Sequence, residues 1–412
     1  MKIILINNIH YRKGGSEAVY FNQAELLRRE GHEVIFFSID RPENLPSAQA
    51  PYFASSRQSA GASLWAVWKE MRNYFYNPEA ARKLEKLIQD EKPDLAHAHL
   101  FWGGLSPSIF SVLKKHHIPL VHTAHDYRMV CPAYTFRDGS GALCEACGGR
   151  HFYRCALRRC AKGSAARSLM MAAEMYMRNL FFHPAAHLDG VVFVSRFSKE
   201  KHIQYAPAFR RLPTRVLYNT MPAPAAYPQG NAGSYLLCYG RLSPEKGIPT
   251  LLKAARLAPE LRFKLVGTGP LYDWIQDRKQ TEPLDNVEVL GYQSGEPLHR
   301  LIAGAAYVIV PSECYENNPM TIVEAYTLST PVIGSRIGGI PEIIREGETG
   351  YTFPAADAEA LARVIRRAVS LDPAAYVRQR QAARAFAETH FNEKTYYQEL
   401  LAFYTDIIKH KK

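Results

Sequence analysis

Two glutamates eight residues apart, Glu316 and Glu324, bracket the start of an apolar run in "PSECYENNPMTIVEA", from Pro311 to Ala325. A carboxylate beside Ile322 and Val323 is costly unless it accepts hydrogen bonds. A vicinal diol, such as that of a ribose, offers two hydroxyl donors within reach of one carboxylate. Glu324 therefore reads as a ribose acceptor, and Glu316 as an acceptor for hydroxyls of a second sugar. Asn318 is a favourable helix N-cap and Pro319 suits a first helical position, so a helix is expected from about Pro319 to Leu328. Asn317, Asn318 and Pro319 would then lie beside the ligand with Glu316.

Other turns carry matching chemistry. "GRLSPEKG" sets Arg241 and Lys246 between a strand and a helix, where two cations suit a diphosphate. "RIGGIPEII" and "GGSEA" place Gly338–Gly339 and Gly14–Gly15 before helices, where backbone N–H groups can come close to phosphate or carbohydrate. "HTAHDYRMVCP" ends a strand with His125, which can donate to a sugar hydroxyl or to a leaving group. Taken singly, each turn also fits an ordinary charged strand-to-helix loop. "VGTGP" lacks the third glycine of a dinucleotide fingerprint. Cys144, Cys147, Cys155 and Cys160 supply four thiols with one tight pair, the ligand set of a structural zinc, with Cys131 as a substitute.

Positioning these turns takes alternating strands and helices. "KIILIN", "HEVIFFSI", "PDLAHAHL", "PLVHTAHD" and "GVVFVS" are apolar runs beside helical stretches. "SYLLCYG", "RFKLVG", "VEVLGY", "AYVIVPS" and "PVIGS" repeat the pattern, so two parallel sheets are expected. The Pro-, Ala- and Gly-rich stretch 208–232 is a linker signature. The division expected is 1–210, holding the cysteine cluster 131–160; 211–390; and a C-terminal helix over 391–412. The fold class is α/β, with two Rossmann-like doubly wound domains facing across a cleft. Ligands of such sheets bind beyond the carboxyl ends of the strands.

The 412 residues, 47% hydrophobic and 22% charged, have ordinary globular composition. The formal charge of +12 favours an anionic partner, either nucleotide phosphate or anionic lipid. No nucleic-acid-binding motif stands behind that charge. The N-terminus reads as a first strand and not as a signal peptide, and no apolar run is long enough to span a membrane, so a cytoplasmic protein is expected. Six basic residues between Gly149 and Ala173, with no acidic one, precede "SLMMAAEMYMRNLFF". That is the composition of an interfacial anchor at an anionic membrane surface, and equally of a core helix beside a solvated basic loop.

The order and spacing of "GRLSPEKG", "VGTGP", "PSECYENNPMTIVEA" and "GGIPEIIREGETGYTF" resemble the family-4 retaining glycosyltransferases of the GT-B fold. The match is sharp over about 235–355 and looser before it, through "GGSEA" and "HDYRMVCP". The resemblance implies sugar transfer from a nucleotide sugar with retention at the anomeric carbon and no catalytic metal. It implies Glu324 on the ribose, Glu316 and His125 near the donor sugar, and Arg241 and Lys246 on the diphosphate. It puts the Gly14–Gly15 loop by the diphosphate and the acceptor. It also implies a last helix that crosses back to the first domain, and bacterial cell-surface polysaccharide or lipid-linked glycan assembly as the setting. Two other classes stand beside it: an NAD-dependent oxidoreductase, and a non-catalytic zinc-bearing homologue that binds membrane.

Overall fold

The computed structural model describes residues 1–56, 71–222 and 233–411, and they form two compact units. Unit 1 is Met1–Leu217 with Lys394–Lys412, and unit 2 is Tyr218–Glu393. Of the expected linker, residues 223–232 lie outside the described residues.

Unit 1 holds a six-stranded sheet of β1 (Lys2–Ile6), β2 (Glu33–Phe37), β3 (Leu95–Ala98), β4 (Leu120–Ala124), β5 (Gly190–Phe193) and β6 (Thr214–Val216). Its order is β2-β1-β3-β4-β5-β6, and every pairing is parallel. Ile3 to Ile6 are fully buried, as expected of a parallel strand covered on both faces. Its helices include α1 (Gly15–Arg29), α2 (Pro78–Glu91), α3 (Ser108–Lys115), α4 (Tyr153–Leu157), α5 (Ala165–Phe181), α6 (Pro184–His187) and α7 (Arg196–Tyr205).

Unit 2 repeats the architecture with β7 (Leu236–Tyr239), β8 (Phe263–Val266), β9 (Val287–Val289), β10 (Tyr307–Val310), β11 (Val332–Ser335) and β12 (Gly350–Phe353). The order is β12-β11-β10-β7-β8-β9, again wholly parallel. Its helices are α8 (Ile248–Leu257), α9 (Tyr272–Thr281), α10 (Gly295–Ala303), α11 (Met320–Thr327), α12 (Ile340–Ile343), α13 (Ala358–Val369) and α14 (Pro373–His390). The chain order reverses between β7 and β10, so the turns leaving those two strands flank a topological switch point.

The last helix, α15 (Glu393–Lys411), belongs almost entirely to unit 1. Its Leu400, Phe403, Tyr404 and Ile407 join the core formed by Ile3, Leu5, Val121 and Val192. Polar contacts fix its register. The Tyr404 hydroxyl accepts from Gln23 at 3.0 Å, and the Tyr396 hydroxyl donates to Gln23 Oε1 at 3.1 Å.

Candidate active site

The two turns at the unit 2 switch point meet. The one after β7 runs through Arg241 into a short 3-10 turn, Pro244–Lys246, and then α8; the one after β10 carries Glu316. Lys246 Nζ donates to Glu316 Oε1 at 2.6 Å, and Ser312 Oγ donates to the same oxygen at 2.7 Å. Burial alone would raise the Glu316 carboxyl, but the Lys246 ammonium holds it below the usual carboxylate range, and Glu316 in turn raises Lys246. The pair is therefore ionised at neutral pH. Arg241 is exposed and forms no ion pair with a described residue, which leaves its guanidinium available to an anion.

Two glycines make this approach possible. Gly247 has φ +70°, and a Cβ there would stand 1.8 Å from the Pro311 carbonyl oxygen, so the β7 turn can seat against the β10 turn only without a side chain. Gly338 has φ +61°, and a Cβ there would lie 2.4 Å from the Glu316 carbonyl oxygen, which also accepts from Gly339 N–H at 2.7 Å. The Gly338–Gly339 loop thus clasps the backbone of the residue whose carboxylate faces Lys246.

Glu324 lies one turn inside α11. Its Oε2 is 2.9 Å from the Tyr239 hydroxyl at the end of β7, and that hydroxyl is 3.0 Å from the Thr321 carbonyl. Burial lifts the Glu324 carboxyl to about 7, against the opposing pull of the Tyr239 hydrogen bond. The helix starts later than the sequence suggests. Pro319 is the N-cap, in extended conformation, and Asn318 does not cap it. Instead Asn318 Oδ1 accepts from the Asn219 N–H at 2.7 Å, and its carbonyl accepts from Asn219 Nδ2 at 3.0 Å. A long-range partner wins over the local cap, and Asn317 remains in the loop between Glu316 and this anchor.

Unit 1 contributes its own polar end. His125 follows β4 directly, and its Nε2 is 2.8 Å from His99 Nδ1; the rings stack with centroids 5.0 Å apart. Burial pulls His125 down to about 4, so it is neutral at physiological pH and presents one donor and one acceptor. Gly14 is the N-cap of α1, in extended conformation, and Gly15 is its first residue. His99 stacks in turn on His97, which bonds Thr123 Oγ1 at 2.7 Å and Gln23 Nε2 at 2.9 Å.

The expected zinc centre on Cys144, Cys147, Cys155 and Cys160 is not supported. Among the described residues no group of three or more His, Cys, Asp or Glu side chains is arranged to hold a metal ion. The four thiols do gather with Cys131 around a cavity of about 10 Å³. All seven cysteines are free.

Sequence reasoning missed Ser312, Tyr239 and His99. Tyr239 adjoins the "GRL" turn, and Ser312 sits four residues before Glu316, so position in the strand ends was the available signal. For His99, on a neighbouring strand end, only the pairing of β3 with β4 reveals it.

Comparison with known proteins matches residues 13–222, just over half of the chain, to Glycosyltransferase Family 4, and residues 226–386 to Glycosyl transferases group 1. An uncharacterised 42.6 kDa protein in the cps region of Klebsiella pneumoniae is 25% identical over 84% of this chain and 88% of its own length. The amylovoran biosynthesis glycosyltransferase AmsK of Erwinia amylovora is 29% identical over 40% of this chain and 43% of its own. The crystal structure of Anabaena HepE in complex with UDP-glucose superposes with a TM-score of 0.67 at 18% identity, covering 98% of this chain and 100% of HepE.

Proposed function

The chain belongs to the family-4 glycosyltransferases, with the GT-B fold, and from that premise we propose that it transfers a sugar, with retention at the anomeric carbon, from a nucleoside diphosphate donor to a glycan or lipid-linked acceptor in bacterial cell-surface polysaccharide assembly. One observation carries the reading: the Lys246–Glu316 pair at the unit 2 switch point, with Arg241 exposed beside it and Glu324 on the next helix. A diphosphate leaving group gathers negative charge as the glycosidic bond breaks. Lys246 and Arg241 are the cations that can stabilise it in place, without reorganising. In the free protein Glu316 neutralises Lys246, so a bound diphosphate competes for the ammonium and releases the carboxylate toward donor-sugar hydroxyls. Glu324, held by Tyr239, accepts from the ribose diol. Asn317, Asn318 and Pro319 shape the loop around the donor. His125, neutral and anchored by His99, donates to the donor sugar, and the Gly14–Gly15 backbone serves the diphosphate and the acceptor. The UDP-glucose bound to HepE and the amylovoran role in the name of AmsK support a nucleotide-sugar donor and a polysaccharide product.

The test is a thermal-shift panel of nucleotide sugars, followed by titration of the best donor's nucleoside diphosphate and nucleoside. Ligand binding to the native state raises the melting temperature. Lys246→Ala and Arg241→Ala should each weaken the diphosphate by roughly 10- to 100-fold and the nucleoside far less, because hydrogen bonds to charged groups are worth about 1.5–3 kcal/mol. A panel without any shift, or equal weakening of both ligands, overturns the reading.

A further inference from the structure

Helix α5 is built inside out. Its buried face carries Ser168, Glu174 and Arg178, each fully inaccessible to solvent. Glu174 Oε1 is 3.1 Å from Arg178 Nε, and its Oε2 is 3.3 Å from Nη2 of Arg128, in the loop after β4. The Arg178 guanidinium lies 4.2 Å over the Trp102 ring and donates to the Arg128 carbonyl at 2.9 Å. This network fixes the rotation of the helix, because turning it would strand buried charges. Met175 and Ala172 share the buried face, and the larger apolar side chains Leu169, Leu180 and Phe181 are consequently left outside. Leu169 is 62% exposed, Leu180 75% and Phe181 62%, and on the adjoining α4 Leu157 is 74% exposed. The two helices are tied side by side: Tyr153 N–H donates to the Tyr176 hydroxyl at 3.2 Å, and both of those rings are also exposed. Eight of the fourteen exposed large hydrophobic residues among the described residues fall between Tyr134 and Phe181, and Leu169, Tyr176 and Leu180, at i, i+7 and i+11, line one side of α5.

The same segment is strongly cationic. Arg150, Arg154, Arg158, Arg159, Lys162 and Arg167 are all exposed. The acidic groups nearby are few and engaged. Asp138 sits 3.7 Å from Arg158, and Glu145 is held by Lys201 and Tyr205. We propose that the α4–α5 face docks on an anionic lipid bilayer, its apolar side chains entering the headgroup boundary and its six cations meeting lipid phosphates. Charge complementarity selects this occupant. A second copy seated on the same face would set two rows of cations against each other. Among the described residues no helix is long and apolar enough to cross a membrane, so the attachment is interfacial. This goes beyond the transferase reading, since docking and catalysis can fail separately.

Vesicle flotation of the full chain tests it, with phosphatidylcholine vesicles lacking or containing phosphatidylglycerol, at low and high salt. Binding is expected to the anionic vesicles only, and to fall at high salt, because each cation near such a surface contributes roughly fivefold in partition. Arg154→Glu/Arg158→Glu/Arg159→Glu should lower the bound-to-free ratio by at least about a hundredfold on that scale. Leu180→Ser/Phe181→Ser should lower it at unchanged charge, with circular dichroism and melting temperature checking that both variants remain folded. Equal recovery with neutral and anionic vesicles overturns the proposal, as does wild-type binding by both variants. So does a concentration-dependent dimer that the Leu180/Phe181 variant abolishes, which would assign the face to a second copy. Loss of binding without loss of donor affinity separates this result from any failure of the transferase reading.

Discussion

A carboxyl group on a helix whose neighbours Ile322, Val323 and Ala325 are buried loses most of its hydration, and Glu324 responds by holding its proton up to about pH 7. The sign of the linkage follows. Its folded value lies above the unfolded one, so the folded chain binds this proton more tightly. The stability gained is fully present below the ordinary carboxyl range and is lost as pH rises through about 7. Glu324→Gln imitates the protonated form. The variant should melt several degrees above wild type at pH 8 and close to it at pH 5, since about 1 kcal/mol moves Tm by a few degrees in chains of this size. It should still bind donor more weakly, because the amide accepts less strongly from a diol. If the ionised form is the one that binds, diphosphate affinity in the wild type rises between about pH 6 and 8, with proton release detectable by calorimetry in buffers of different ionisation enthalpy. Identical melting curves at both pH values would show that Glu324 is not buried as a costly anion. The places of Glu316 and Glu324, in the turn after β10 and on α11, were open to sequence reading because both lie in one short loop-and-helix stretch. Ser312 lies in that stretch too, whereas Tyr239, at the end of β7, meets Glu324 only because folding brings β7 beside β10.

Single elements show where sequence reasoning runs out. The strands and the turns that leave them are legible, since an apolar run followed by a Gly-rich polar turn is a local signal. The orientation of α5 is not. Its methionines suggest a stripe turned either inward or to lipid, and charged residues in a helix default to the outside. Glu174 and Arg178 are inside because Arg128, 46 residues before Glu174, supplies a second cation and Trp102 a ring to cover them. Removing one member leaves the others uncompensated. Glu174→Gln should therefore cost roughly 3–5 kcal/mol in urea unfolding of unit 1, whereas Glu174→Leu/Arg178→Met together should cost less than Glu174→Gln alone. A larger loss in the double variant would mean that the network is net stabilising and not chiefly a device that orients the helix. The cysteine loop makes the same point in another chemistry. Spacing suggested metal ligands, but among the described residues no group is arranged to hold a metal ion and all seven cysteines are free, so seven equivalents should titrate in denaturant without reductant. Any disulfide would reduce that number by two.

At the scale of the chain, 19 residues at the far end complete the first unit. Tyr396, Leu400, Phe403, Tyr404 and Ile407 are buried in the same cluster as β1 and α1, and Phe403 comes so near Gly190 that a Cβ there would stand 2.6 Å from its Cζ. The long amphipathic pattern announced the helix, but its seat depends on Gln23, His97 and Gly190, which are scattered through the first half of the sequence. Burying five such side chains contributes roughly 10 kcal/mol, which is comparable to the whole stability of an ordinary domain. Deleting residues 394–412 should therefore unfold unit 1 and spare unit 2, whose hydrophobic clusters contain no residue of that segment. Calorimetry would then show one of two transitions lost, and limited proteolysis would leave a resistant fragment near Tyr218–Glu393 that retains nucleoside diphosphate binding. Gly190→Val tests the same seat in the intact chain. It should lower the unit 1 transition and not that of unit 2, because the obstruction lies between β5 and α15. A truncated chain with both transitions in place would mean that the α15 contacts add little to a unit already stable without them.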